Sequence, residues 1–328
     1  MENKQNKKIK SFAVSTISKM EDVHPMDAKN YSRMKYGDPI ATRRSAIQIT
    51  SHLFRQPEIT KYIHADKTIF ITSSAYGYVP TASYSVTREV TKLLAASGVK
   101  IDRIKFVRNG DFSTNHYGTL SAEERAKKMT SRNIHLTEED LVKIKDGFVL
   151  VIDDIAITGS HERKIHEILS QTEARDWAFI YLYKLDTELG NKIPETEEHL
   201  NRADIKTVLD LIPFFRIYTE YDLKLRLNSR VLKFILTTEP ESFYDVSHDV
   251  AVKHLKEFFA LIDDKILADV YRAAMSPDGY HADPKFAEGL HILREEILER
   301  RGLSRLFNKI MASIEENLNK ETETPVLA

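Results

Sequence analysis

Short apolar runs alternate with amphipathic stretches over the first half of the chain. The runs rich in β-branched and aromatic residues are TIFIT (68–72), IDRIKFV (101–107), FVLVI (148–152) and WAFIYLY (177–183). Stretches with helical periodicity, notably 83–96 and 161–171, separate these runs. Strands that alternate with helices indicate a parallel sheet with helices on its faces, so the predicted fold class is α/β. FVLVI has no polar residue, which is typical of a central strand buried on both sides.

Beyond about residue 200 the hydrophobic positions recur at helical steps of three and four. Two such series are Leu255, Phe258, Phe259, Ile262, Ile266 and Val270, and then Phe286, Leu290, Leu293 and Ile297. The turn-forming SPDG (276–279) separates them. We therefore predict four parts: an N-terminal hood segment (1–64), an α/β core (65–187), a helical C-terminal domain (188–315) and a disordered tail (316–328).

Composition narrows the class of protein. The 328 residues are 42% hydrophobic, and 48 basic residues nearly cancel 49 acidic ones. With so little net charge, capture of nucleic acid is not expected. The chain has no cysteine, which excludes disulfides, thiol nucleophiles and cysteine-held metals. No apolar run approaches about 18 residues and no signal peptide is recognisable, so we expect a cytoplasmic protein with no membrane partner.

The segment 148–161 carries the strongest chemical signal. A buried strand leads to two carboxylates, Asp153 and Asp154, and a short loop then opens an amphipathic helix. In open α/β sheets, ligands bind beyond the carboxyl ends of the strands. A helix N-terminus with a glycine and hydroxyls suits a phosphate, while carboxylates suit ribose hydroxyls or hydrated Mg²⁺. The pattern predicts a site for a sugar 5′-phosphate.

This segment resembles the phosphoribosyl-pyrophosphate (PRPP) signature of type I phosphoribosyltransferases: four apolar residues, two acids, three mostly small or apolar residues, then Thr-Gly-x-Thr/Ser. The resemblance implies a parallel-sheet core of that family. It implies that Asp153 and Asp154 are the catalytic residues and bind Mg²⁺ through water. It also implies a 5′-phosphate site formed by Ile157, Thr158, Gly159, Ser160 and His161.

Two positions depart from the family pattern. Ile157 stands where purine-salvage members carry an acid that assists the base, which argues against a purine-salvage enzyme. His161 replaces a small residue, and its imidazole can still donate a hydrogen bond to phosphate. The alternative to a site is a solvated acidic turn followed by an ordinary capped helix.

The loop after TIFIT occupies the place where the family binds pyrophosphate, largely through backbone amides. Its residues are Ser73, Ser74, Ala75, Tyr76, Gly77 and Tyr78. On its own pattern, this could equally be a plain connection between a strand and a helix. Arg108, which ends the second predicted strand, is a further candidate for the pyrophosphate.

A long polar stretch, 110–137, follows Arg108. In type I enzymes this is the flexible loop that closes over PRPP. Its spacing of Thr114, Tyr117, Leu-Ser and Glu-Arg125 resembles the ComF-like branch, in which a Gln stands at the tyrosine position. The cations here could instead form a solvated helix face. The stretch 31–38 (YSRMKYGD) resembles phosphoribosyltransferase-like proteins of bacterial stress-resistance gene clusters, and could cover the acceptor side of the site or be a simple turn.

The resemblance implies an Mg²⁺-dependent phosphoribosyltransferase that uses PRPP, or makes it from a nucleotide 5′-monophosphate and pyrophosphate. Displacement would occur at ribose C1, and the acceptor base is left open. A second hypothesis is a regulatory or interaction protein that binds PRPP or a nucleotide without turnover. The oligomeric state is also open, with a homodimer as the form considered.

Overall fold

A five-stranded parallel sheet forms the centre of the N-terminal half. The computed structural model describes residues 8–65, 67–109, 133–193, 196–216, 227–238 and 246–302. The strands of this sheet are β1 (Ser11–Ile17), β2 (Ile69–Ser73), β3 (Ile101–Arg103), β6 (Phe148–Ala156) and β7 (Asp176–Leu185), in the order β1-β7-β6-β2-β3. All neighbouring strands run parallel. The predicted parallel α/β fold is confirmed.

Helices cover the sheet and form most of the remaining chain. Those of the first part are α1 (Pro25–Lys35), α2 (Pro39–Leu53), α3 (Pro57–His64), α4 (Ala82–Ala96), α5 (Glu138–Lys143), α6 (Ser160–Ser170), α7 (Thr187–Lys192) and α8 (Thr196–Asn201). Those of the second part are α9 (Ile212–Arg216), α10 (Ser229–Leu236), α11 (His248–Leu261), α12 (Asp264–Ala274) and α13 (Ala287–Arg300). None of the helices in the described ranges has the length and apolar character that a membrane crossing needs.

Strand β6 is the central strand, as its all-apolar start predicts. It pairs with β2 on one side and β7 on the other, and Ile152 lies opposite both Ser73 and Ile180. Its first five side chains are buried, because the sheet is covered on both faces. The strand also continues through both carboxylates to Ala156, four residues beyond the predicted end. The carboxylates therefore belong to regular, paired backbone.

Strand β1 is absent from the sequence prediction. Its sequence, SFAVSTI, is mostly half-buried, and it pairs only with β7 at the edge of the sheet. An edge strand of this kind has a weak hydrophobic alternation, because its residues are less completely enclosed. The N-terminal segment thus contributes a strand to the core in addition to helices.

The predicted strand IDRIKFV (101–107) is wrong as a single element. Its first three residues form β3, which pairs with β2, and the Ile104 amide still donates to the Ile71 carbonyl. The chain then leaves the sheet, and β4 (Phe106–Asn109) pairs antiparallel with β5 (Asn133–Leu136). The recurrence of apolar residues concealed this break, because Ile104 and Phe106 are both buried, each beside a different strand.

The helical part has its own hydrophobic core. It is formed by buried residues from Ile205 to Leu293, including the predicted series in α11 and α12. Two residues of the first part, Tyr36 and Val79, belong to this same core. The helical part therefore packs directly against the segment after α1 and against the loop after β2. The boundaries of the four predicted parts stay predictions, and the predicted tail 316–328 lies outside the described residues.

Candidate functional site

The two carboxylates of β6 contact different helices. Adjacent residues of a strand point to opposite faces of the sheet. Asp154 therefore meets α1, where it accepts hydrogen bonds from Tyr31 Oη and Lys35 Nζ, each at 2.6 Å. Asp153 lies beside α6, with its Oδ2 3.4 Å from His161 Nδ1. The acidic pair thus has a separate partner set for each member.

Helix α1 delivers Tyr31 and Lys35 together because they are four residues apart on one face. The helix begins at Pro25, a residue well suited to a first turn, and the preceding His24 caps the Met26 amide at 3.2 Å. Lys35 Nζ also donates to Glu197 Oε1 at 2.9 Å. One ammonium therefore joins α1, β6 and α8.

The charges of this cluster shape its ionisation. Burial alone would lower the pKa of Lys35, but Asp154 and Glu197 raise it well above its ordinary value. Burial raises the pKa of Asp154, and Lys35 acts in the opposite direction. Burial also acts to raise the pKa of Asp153, yet the contact with His161 keeps it below its ordinary value. The two carboxylates therefore differ in their partners: Asp154 pairs with an ammonium, and Asp153 lies beside an imidazole.

The loop between β6 and α6 has the shape expected of a phosphate cradle. Gly159, at the N-terminus of α6, has φ +68°, a conformation that favours glycine. Thr158 Oγ1 and Ser160 Oγ lie 2.9 Å apart, so both hydroxyls face the same place. The structure thus brings together Thr158, Gly159, Ser160 and His161 beside Asp153.

Two residues that the sequence analysis missed are in close contact with this loop. Arg163 donates to the Thr158 carbonyl at 3.0 Å and to Ser160 Oγ at 3.2 Å. Gly190 of α7 approaches the Ile157 carbonyl so closely that a Cβ there would lie 2.4 Å from its oxygen. Arg163 lies two residues after the motif in a charged helix, and only its position in the first turn could have indicated its role.

The loop after β2 packs against β4. The Tyr76 amide donates to the Phe106 carbonyl at 3.3 Å, and the Arg108 amide donates to the Tyr76 carbonyl at 3.2 Å. Lys105 Nζ donates to the Gly77 carbonyl at 2.7 Å and lies 4.2 Å from the centre of the Tyr76 ring. Arg108 therefore lies beside this loop through its backbone amide, its contact with pyrophosphate stays a prediction, and Lys105 is an additional cation there.

The first half of the same loop adjoins the central strand. Ser73 ends β2 and lies opposite Ile152, one residue before Asp153. The Ser74 hydroxyl is 3.0 Å from Thr81 Oγ1 and also contacts Ser83, so the loop hydroxyls bond to the start of α4. Residues 73–77 therefore lie at the carboxyl end of β2, next to the acidic pair.

Three predicted residues of the flexible loop, Thr114, Tyr117 and Arg125, lie outside the described residues. The stretch 31–38, for which two interpretations were open, supplies Tyr31 and Lys35 to Asp154 and also caps α2. There the Asp38 carboxylate accepts from the Ile40 amide at 2.8 Å. The stretch 31–38 therefore contacts the acidic pair and also forms the turn before α2.

The carboxylates are poorly suited to a metal cage made by protein alone. Within the described ranges, no group of three or more His, Cys, Asp or Glu side chains is placed to hold a metal ion. Asp154 is bonded to an ammonium, which repels a second cation. Asp153 is the residue that fits a hydrated Mg²⁺ shared with oxygen atoms of a ligand.

The topology, the paired acids and the loop at the N-terminus of α6 define a phosphoribosyltransferase-type protein. A family model described as PRTase ComF-like matches residues 9–293. The chain therefore belongs to the ComF-like phosphoribosyltransferase family. The match includes the helical part as well as the sheet. No curated protein matches.

Several solved phosphoribosyltransferases are distantly similar. One from Staphylococcus aureus, for hypoxanthine, is 15% identical; 43% of this chain and 64% of that chain are covered, at TM-score 0.29. The hypoxanthine-guanine enzyme of L. donovani is 10% identical; the match covers 45% of this chain and 70% of that chain, at TM-score 0.31. The Trypanosoma cruzi hypoxanthine enzyme, complexed with IMP, is 13% identical; the match covers 45% of this chain and 66% of that chain, at TM-score 0.30. This chain thus spans less than two thirds of the first of these.

Proposed function

We propose that the protein is a phosphoribosyltransferase that binds PRPP and exchanges its pyrophosphate for a nitrogen acceptor. The observation that carries the proposal is the arrangement at the end of β6. There, Asp153 lies one short loop away from the paired hydroxyls of Thr158 and Ser160 at a helix N-terminus. A ribose 5-phosphate has both hydroxyls for a carboxylate and a phosphate for the helix N-terminus.

The 5′-phosphate would bind in the loop 157–161. The amides of the first turn of α6 and the two hydroxyls would donate to its oxygen atoms. His161 could add a donor, and Arg163 would keep the loop in shape through its bond to the Thr158 carbonyl. The positive φ of Gly159 leaves the backbone open for close approach.

Asp153 would accept hydrogen bonds from the ribose hydroxyls. Mg²⁺ would bind to oxygen atoms of the ligand and, through water, to Asp153. Its charge would neutralise part of the negative charge of the pyrophosphate. Asp154 would act from the other face of β6, fixed by Lys35 and Tyr31. These contacts hold the strand, and with it Asp153, against α1.

The reaction requires positioning more than a strong base. The C1–O bond to pyrophosphate breaks with its electron pair leaving on oxygen, and the acceptor nitrogen forms the new C1–N bond. The acceptor proton goes to water. Positive charge develops on the ribose ring, and a nearby carboxylate such as Asp153 stabilises it. Lys105 and Arg108 beside residues 73–77 would favour the departing negative charge.

The test is pyrophosphate release from PRPP in the presence of Mg²⁺ and single acceptors, namely the nucleobases and ammonia. Wild type, Asp153→Asn and the control Asp263→Asn would be compared, since Asp263 only caps α12. We expect release with at least one acceptor, retained by the control and lowered about a hundredfold or more by Asp153→Asn. Release that Asp153→Asn leaves unchanged would contradict the assignment.

A second candidate is a PRPP or nucleotide sensor without turnover. The observation that favours it is the ion pair of Asp154 with Lys35, which leaves one member of the acidic pair for a ligand. A sensor predicts binding of PRPP or a nucleotide that Asp153→Asn weakens, with no pyrophosphate release from any acceptor. The release assay therefore separates the two candidates.

A further inference from the structure

A buried carboxylate from the helical part binds the loop after β2. Asp278 lies between α12 and α13 and is only 3% exposed. Its Oδ1 accepts from the Tyr78 amide at 2.8 Å, and its Oδ2 accepts from the Val79 amide at 2.7 Å. Both oxygens of one carboxylate thus hold two successive amides that lie about two hundred positions earlier in the chain.

Further contacts fasten the same half of the loop to the helical part. The Val79 side chain is 2% exposed and belongs to the helical core. The Pro80 carbonyl accepts from the Ser229 amide, at the start of α10, at 2.8 Å. The backbone of residues 78–80 is therefore attached to the helical part, whereas Ser73 pairs with the central strand and residues 76 and 77 contact the segment 105–108.

Lys105 holds the loop from the sheet side. Its ammonium donates to the Gly77 carbonyl, the residue directly before the pair that Asp278 binds. Burial lowers the pKa of Lys105, and the charge of Asp278 acts to raise it again. Asp278 therefore fixes two amides by hydrogen bonds, and its negative charge favours the protonated form of Lys105.

We infer that the helical part completes the pyrophosphate end of the site, with Asp278 as the positioning residue that sets the shape of residues 73–77. This inference rests on the proposed function. It assigns a role to the helical part, because the proposed reaction otherwise uses only residues of the α/β part. Pyrophosphate affinity then depends on a residue that touches no ligand.

The opposite role, in which Asp278 occupies amides meant for pyrophosphate, fits the contacts less well. A carboxylate that mimicked the ligand would bind the half of the loop beside Asp153. Asp278 instead binds Tyr78 and Val79, where the flanking groups are anchored in the helical core. The two roles predict effects of opposite sign when the carboxylate is removed.

The experiment measures two affinities in the full chain by calorimetry. One probe is inorganic pyrophosphate with Mg²⁺, and the other is ribose 5-phosphate, which reports on the loop 157–161. The variants are Asp278→Ala and Asp278→Asn, and Asn keeps one acceptor oxygen. Asp283→Asn is the matched control, because Asp283 lies in the same connection and its carboxylate bonds to Lys285, through the amide at 3.1 Å and the ammonium at 2.8 Å.

We expect Asp278→Ala to weaken pyrophosphate binding about tenfold, with Asn intermediate and the control unchanged. Ribose 5-phosphate affinity should stay within about twofold in every folded variant. If Asp278→Ala does not fold, Asp278→Asn decides, with an expected loss of about threefold.

Three results would overturn the inference. Tighter pyrophosphate binding in the variants would show that Asp278 competes with the ligand. Equal losses for both probes would show a general structural effect. Binding of ribose 5-phosphate but not pyrophosphate by wild type would remove this role of the loop while leaving the 5′-phosphate site intact. Binding of neither probe would instead contradict the proposed function itself.

Discussion

The ammonium of Lys35 lies 2.6 Å from the carboxylate of Asp154, across 119 positions of the sequence. Both side chains are largely buried, and the second acceptor of Lys35 is Glu197. A buried charge is tolerated when an opposite charge and hydrogen bonds compensate it. This contact therefore fixes α1 against β6, and Asp153 is the carboxylate that we propose binds a ligand.

Removing the ammonium should be costly. We expect Lys35→Met to lower the free energy of unfolding by about 3–5 kcal/mol, because Asp154 is left buried without its counter-charge. Adding Asp154→Asn in the same chain should restore much of this loss. Urea unfolding of the two variants measures both effects.

A matched surface pair provides the control for this prediction. Lys143 and Glu139 form an exposed ion pair at 2.7 Å on α5. Lys143→Met should change the free energy of unfolding very little, as is usual for exposed pairs. A similar small cost for Lys35→Met would show that the buried pair does not hold α1 in place.

Gly159 should matter to the ligand as well as to the backbone. It has φ +68°, and Gly98, which is remote from the loop 157–161, has φ +81° with open space around it. Alanine at either position should cost about 1–2 kcal/mol, because both require a left-handed backbone. Only Gly159→Ala should weaken ribose 5-phosphate binding, and calorimetry on both variants checks this. An equal effect on binding at Gly98 would contradict the assignment of the loop.

Gly190 should be essential to the phosphate loop for a steric reason. Gly190→Ala would place a Cβ 2.4 Å from the Ile157 oxygen, so the loop must move. Gly147→Ala creates a similar overlap, 2.5 Å from a Phe70 ring carbon, at the opposite end of β6. Both variants should be destabilised, but only Gly190→Ala should lower ribose 5-phosphate affinity, by about tenfold or more. Unchanged affinity in Gly190→Ala would show that α7 does not shape the site.

Acid should weaken the attachment between α8 and α10. Glu198 accepts from Arg230 with both oxygens at 2.9 Å. Burial acts to raise the pKa of Glu198, but Arg230 dominates and lowers it from 4.5 to about 2. Since the folded pKa is depressed, the pair stabilises the fold above about pH 4.5, by about 3 kcal/mol, and this is lost as the pH falls towards 2.

Glu198→Gln tests this pH dependence directly. The variant should be less stable than wild type at pH 7, and the difference should shrink as the pH falls from 4.5 towards 2. Denaturant unfolding at several pH values provides the measurement. A difference that stays constant over this range would show that the ionised form of Glu198 contributes nothing special.

The sequence predicted the sheet well because its central strands carry strong local signals. FVLVI and WAFIYLY are long apolar runs, and both form buried strands beside one another. The loop 157–161 at the start of α6 was also predictable as a local element, since its glycine and hydroxyls lie within a few residues, and its binding of phosphate stays a prediction. Strand β1 and the division between β3 and β4 were not predictable, because they depend on pairing with distant strands.

The residues that complete the site come from far along the chain. Lys35, Gly190 and Asp278 each act through one contact that only the folded chain creates. In the sequence, Asp278 is simply part of a turn-forming SPDG, and Gly190 is an ordinary helical glycine. Local sequence pattern identifies strand β6 and the loop that follows it, but the groups that hold them depend on tertiary packing.

Calorimetric titration of PRPP with Mg²⁺ into wild type and Asp153→Asn tests the central claim most directly. Asp153 is the better choice than Asp154, because its removal leaves the Lys35 ion pair in place. We predict micromolar binding by wild type, weakened about tenfold or more in the variant, with both proteins folded. A folded wild type that shows no binding, or a variant that binds as well as wild type, would contradict the assignment of a PRPP site to the end of β6.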